Sequence, residues 1–227
     1  MIRVIAVCEG QTEETFIRDV IAPQLAHQQV FLTARLIPTS KGHKGGALTY
    51  QRVKRFIVNC LKEETETIVT TFFDLYALDN EFPAFVESQN IADVYQKVAC
   101  LERAFKEAVA LENTLFAKRF WPYIQPYEFE GLLFSDIAKL IELETDWQVS
   151  SKALQAVREA FPTPEHINDN YKTKPSARLE KHLNKTSYRK KLHGTSAIQS
   201  IGIDRLCEQC QHFASWYAQL NQLGATL

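Results

Sequence analysis

Most of what would place this chain in a specialised class is missing. No apolar run approaches the length that crosses a bilayer, so a membrane-spanning role is not expected. Neither sign of charge dominates: 26 Lys and Arg stand against 27 Asp and Glu, a formal charge of −1. Such a balance exerts no global pull toward nucleic acid or an acidic surface. The five cysteines are odd in number and scattered, which fits reduced thiols and not a disulfide framework. Internal repeats and low-complexity stretches are absent. Glu9 falls where the apolar region of a secretory leader would continue, so a cytoplasmic location is expected. Several catalytic signatures are also wanting. No histidine neighbours a Ser or Cys in a nucleophile elbow. The Gly- and Lys-bearing stretch 39–46 does not match a P-loop. An aspartyl phosphatase would want an acid at position 76, where Tyr76 stands.

What is present is an alternation. The run Ile68-Val69-Thr70-Thr71-Phe72-Phe73 is apolar, β-branched and aromatic, and ends in Asp74. Such a run reads as a strand covered on both faces, as in a parallel sheet. Residues 2–8 repeat the pattern and end in Glu9-Gly10. Further strands are expected over 31–37 and 120–126, with helices over 12–22, 47–64, 91–116 and 132–143, the first kinked or ended by Pro23. Strand and helix in turn predict an α/β domain with a largely parallel sheet over residues 1–145. From residue 146 the strand signals stop, and a helical extension over 146–227 is expected.

Open α/β sheets keep their ligand crevice at the carboxyl ends of the strands. Glu9 and Asp74 are both delivered there, and Glu128 and Glu130 follow the fourth strand. Glu13, Asp79 and Glu81 are additional acids nearby in sequence. Carboxylates gathered at strand ends repel unless a cation lies among them. Mg²⁺ or Mn²⁺ is therefore the expected cofactor, held by Glu9, Asp74, Glu128 and Glu130, with Glu9 and Asp74 as the catalytic pair. Lys41 and Lys44 in the basic loop, with Lys174 and Arg178 in the basic stretch 172–191, are candidate phosphate contacts. Cys207-x-x-Cys210 reads as helix thiols, with no second ligand pair evident for zinc, and His193 beside Gly194 reads as a surface residue.

Three segments carry a family resemblance: Glu9-Gly10-Gln11-Thr12-Glu13, Phe73-Asp74-Leu75-Tyr76, and Tyr127-Glu128-Phe129-Glu130-Gly131-Leu132-Leu133-Phe134. Lys174-Pro175-Ser176, Leu192-His193-Gly194 and Ile201-Gly202-Ile203 extend it over most of the chain. Together they resemble a bacterial group of small Toprim-like proteins, similar to the Toprim half of overcoming-lysogenization-defect (OLD) nucleases. The resemblance implies a Toprim-like α/β fold and a metal-dependent nuclease, a hydrolase acting on DNA more than RNA. It also implies an ABC-type ATPase partner and a role in phage defence. In it Glu9 takes the place of the family glutamate and Asp74 the first acid of Asp-x-Asp. The second falls on Tyr76, so Asp79, Glu81, Glu128 or Glu130 would supply that ligand. The alternative is a non-catalytic module that docks on the ATPase.

Overall fold

The computed structural model describes residues 1–38, 49–63, 65–168 and 170–225. The chain is an α/β protein with a five-stranded parallel sheet flanked by helices and followed by C-terminal helices. It divides into two compact units. The first is Met1–Gln125 with the C-terminal residues from Gln219, and the second is Pro126–Ala218. The boundary expected at residue 145 lies inside the second unit.

In the first unit β1 (Ile2–Cys8), β2 (Val30–Leu36), β3 (Ile68–Asp74), β4 (Phe120–Trp121) and β5 (Ile124–Gln125) run parallel. The order is β2-β1-β3-β4, with β5 also pairing with β3. Burial follows position. The central strands β1 and β3 are buried on both faces, as their unbroken apolar composition requires. β2, at the edge, alternates and leaves Phe31 46% exposed. The strand expected over 120–126 is split by Pro122, which has no N–H to donate. Thr71 of β3 bridges the gap. Its hydroxyl donates to the Tyr123 carbonyl at 2.8 Å and accepts the Tyr123 N–H at 2.9 Å.

Helix α1 (Gln11–Phe16) does not end at Ala22 as Pro23 suggests. It passes through a π-turn, Ile17–Ile21, into α2 (Ala22–Ala26), which carries Pro23 in its first turn. The Ala22 N–H reaches back five residues to the Ile17 carbonyl, a π spacing that lets the chain pass the missing donor. After α3 (Tyr50–Glu63) and the short α4 (Phe85–Ser88) comes α5 (Val94–Ala110). Asp93 caps α5 by accepting the Gln96 N–H at 2.8 Å. Val94, Val98, Leu101, Phe105 and Val109 form its buried stripe. Phe105 packs edge-on against Phe82 and Phe120, with ring centroids 4.7 and 4.9 Å away. After α6 (Phe116–Arg119), the Arg119 guanidinium donates to the Thr67 and Leu61 carbonyls, tying α3 and the start of β3 to the edge of the sheet.

The second unit contains only helices and turns among its described residues. The helix expected over 132–143 is instead a 3₁₀ segment, Phe129–Ser135, and then α7 (Ile137–Ile141). Every residue from Phe129 to Ser135 is buried, so that segment has no solvent face to define an amphipathic helix. Asp136 restarts the chain as the cap of α7 by accepting the Lys139 N–H. The remaining helices are α8 (Ser151–Glu159), α9 (Pro175–His182), α10 (Thr195–Ile201), α11 (Ile203–Gln209) and α12 (Gln211–Ala225). Two breaks separate the last three of these helices. Gly202 turns at φ +79°, and Cys210 is extended at φ −121°. Among the described residues no helix is long and apolar enough to cross a membrane.

Candidate functional site

The order β2-β1-β3 sets the location. From β1 the chain crosses to β2 on one side and then to β3 on the other, so the sheet reverses its winding between β1 and β3. A crevice at the carboxyl ends of two such strands is where open α/β sheets bind ligands. The last registered pair there is Cys8 with Phe72. Glu9 leaves β1 one residue later, and β3 runs two residues further to Asp74. Two acids from strands about 4.8 Å apart thus flank the switch point. Asp74 is buried, 5% exposed, and Glu9 is half-buried.

A third acid belongs to the same corner. Glu13, in the first turn of α1, is 2% exposed. A Cβ on Gly10 would lie 2.9 Å from its Oε2, so Glu13 folds back beneath the backbone that follows Glu9. The Cys8 thiol senses this corner. Burial pushes its pKa well above the usual thiol value, and the charges of Glu13, Glu14 and Glu9 push it further. Cys8 is thereby held as a neutral thiol, while three acidic side chains around the end of β1 set up a negative field.

The other sequence candidates are placed differently. Asp79 accepts the Tyr50 N–H at 2.9 Å, which caps the start of α3. Glu81 is exposed. Glu128 and Glu130 are buried in the second unit, and each has an ammonium partner. Lys174 Nζ lies 2.7 Å from Glu128 Oε1, while Ser176 donates its N–H and hydroxyl to the same carboxylate. Lys190 Nζ lies 3.4 Å from Glu130 Oε2. The two glutamates do not share a face, because Glu128 is extended whereas Glu130 is already in the 3₁₀ segment. Lys174 also sits over the Tyr171 ring at 4.4 Å. Burial lowers its pKa, and the bond and charge of Glu128 outweigh that, leaving it raised. Arg178 donates to the Thr173 carbonyl at 2.6 Å and covers the Phe161 ring. Lys41 and Lys44 lie outside the described residues.

Among the described residues no group of three or more His, Cys, Asp or Glu side chains is arranged to hold a metal ion. Two carboxylates delivered from neighbouring strands match in number and kind what a hard divalent cation takes from protein when water and phosphate fill its remaining positions.

Two residues in the second unit carry more than the sequence suggests. His193 is not a surface residue: it is 3% exposed, edge-on to Trp147 at 4.6 Å. Its Nδ1 accepts the Arg189 N–H at 3.0 Å, so the neutral ring keeps its proton on Nε2, 3.3 Å from Glu144 Oε1. Burial lowers its pKa, Glu144 raises it by less, Arg189 lowers it again, and the net shift is downward. The folded protein therefore prefers the neutral ring. Its contribution to stability is complete above the unfolded value near pH 6.5 and declines as pH falls toward the folded pKa. Unfolding free energies from urea titrations between pH 7.5 and 5 should fall more steeply in the parent than in His193→Gln, by at most about 1.4 kcal/mol per pH unit. Equal slopes would refute this role. Glu165, fully buried, accepts the backbone N–H groups of His212 and Phe213 at 2.9 and 3.0 Å.

A family model described as a domain of unknown function, DUF4276, matches residues 8–221. No curated protein and no solved structure matches the chain.

Proposed function

The chain belongs to the DUF4276 family, and we propose that it is a divalent-metal phosphodiesterase acting on nucleic acid, its centre built on Glu9 and Asp74. What carries this reading is their delivery from adjacent parallel strands at the switch point, with the buried Glu13 folded back against Gly10, next to Glu9. Negative charge gathered at the end of β1 would favour a divalent cation there. Asp74, the more buried, holds the ion. Glu9, half-buried, ligates it or takes a proton from the attacking water. When bound, Mg²⁺ or Mn²⁺ supplies charge for the phosphate oxygens and an acidified water. Glu128 and Glu130 are left out of the donor set, since each is engaged by its own lysine. DNA as the nucleic acid, Toprim kinship, an ABC-type ATPase partner and a role in phage defence are proposed on the sequence resemblance.

Calorimetric titration with Mn²⁺ tests the centre. The parent should give a saturable isotherm, and Glu9→Gln should weaken binding at least about tenfold. Identical isotherms would refute the assignment. No binding by the parent would favour the non-catalytic module.

A further inference from the structure

A second concave site lies within the first unit, away from the acids. It is a groove of about 630 Å³ between α5, the end of β4 and the last turns of α12. That volume is within the range of small-molecule sites, roughly 300–1,000 Å³. Its register separates it from the acidic corner. Trp121 pairs with Thr70, four residues before Asp74 on β3, a distance on the order of 13 Å along the strand.

The lining combines three chemistries. Trp121 is half-buried, and its indole N–H is already spent on the Lys118 carbonyl at 3.1 Å, so the ring offers the groove an aromatic surface. Arg103 and Lys106, one turn apart on α5, offer two cations. Neither has a carboxylate partner among the described residues. The acid in the lining, Glu102, is committed in part to the Ile124 N–H at 2.7 Å. Gln219 and Gln222 of α12 add exposed amides that can both donate and accept.

We propose that this groove is a binding site for a free nucleotide. The base stacks on Trp121, the phosphate lies between Arg103 and Lys106, and the glutamine amides meet the edge of the base. Stacking on an aromatic face and neutralisation of phosphate by paired cations are each established modes of nucleotide recognition. The site needs neither the acids nor a metal, and so stands independently of the proposed activity.

The test is calorimetric titration of the full chain with AMP in EDTA. The expected result is a saturable one-site isotherm, unchanged in Asp74→Asn and weakened at least tenfold in the double variant Arg103→Ala/Lys106→Ala. Arg103 is exposed and Lys106 half-buried, and neither belongs to the buried stripe of α5, so the melting midpoint should hold. Adenosine, lacking the phosphate, should bind more weakly than AMP. The proposal is overturned by no saturable heat with AMP, by a double variant that binds as the parent does, or by equal binding of adenosine. It is also overturned if a single-stranded oligonucleotide binds where AMP does not, which would assign the groove to a nucleic-acid strand.

Discussion

Asp74→Asn should reduce metal-dependent cleavage of DNA at least about 100-fold while leaving the metal-free melting midpoint nearly unchanged. Metal-site partners one shell removed already cost roughly 10–100-fold when lost, so a direct ligand should cost no less. The stability expectation follows from burial. Asp74 is 5% exposed at the end of β3, and the amide keeps the shape of the carboxylate and one of its accepting oxygens. Heating with and without Mn²⁺ supplies a second readout. An ion that binds only the folded chain raises stability by about 2.7 kcal/mol at a hundred times its Kd. The parent should show that rise in midpoint, and Asp74→Asn should lose most of it. A variant that cleaves like the parent, or that keeps the full metal-induced rise, would remove Asp74 from the centre.

The second large effect concerns Glu165→Ala. The carboxylate is fully buried and accepts two backbone N–H groups in the first turn of α12, donors that have no partner within the helix. Hydrogen bonds to a charged group contribute about 1.5–3 kcal/mol each, and their removal also leaves buried donors unpaired. A loss of about 3–5 kcal/mol is expected, read as a fall in the urea midpoint with unchanged slope. Glu165→Gln retains one carbonyl oxygen and should lose roughly half as much. If Glu165→Ala unfolds with the parent's midpoint, water has taken over the two donors and the carboxylate is not a cap.

Glu165 illustrates why part of the architecture was not legible beforehand. It follows Pro164 in a polar stretch, and nothing in its neighbourhood shows that its partners are at 212 and 213. Asp93, by contrast, is readable, because a local cap obeys fixed spacing to the N–H it accepts. His193 was misplaced for a related reason. A basic run suggests solvent, yet the π-turn Lys190–Gly194 turns this one side chain inward against Trp147. Lys174 reads as a phosphate contact and Lys190 lies in the same basic stretch, yet the structure gives each a buried glutamate.

What the amino-acid order determined alone is the alternation of strand and helix, the double-sided burial of β1 and β3, and the delivery of an acid at the end of each. Those properties rest on side-chain period and local backbone chemistry, which act over a few residues. The tertiary structure decided that β1 and β3 are neighbours, so that Glu9 and Asp74 flank one switch point, and that Glu128 and Glu130 are held by lysines instead. Strand order and ion pairing depend on which distant surfaces must exclude water together. That is a property of the packed chain as a whole, which no local stretch specifies.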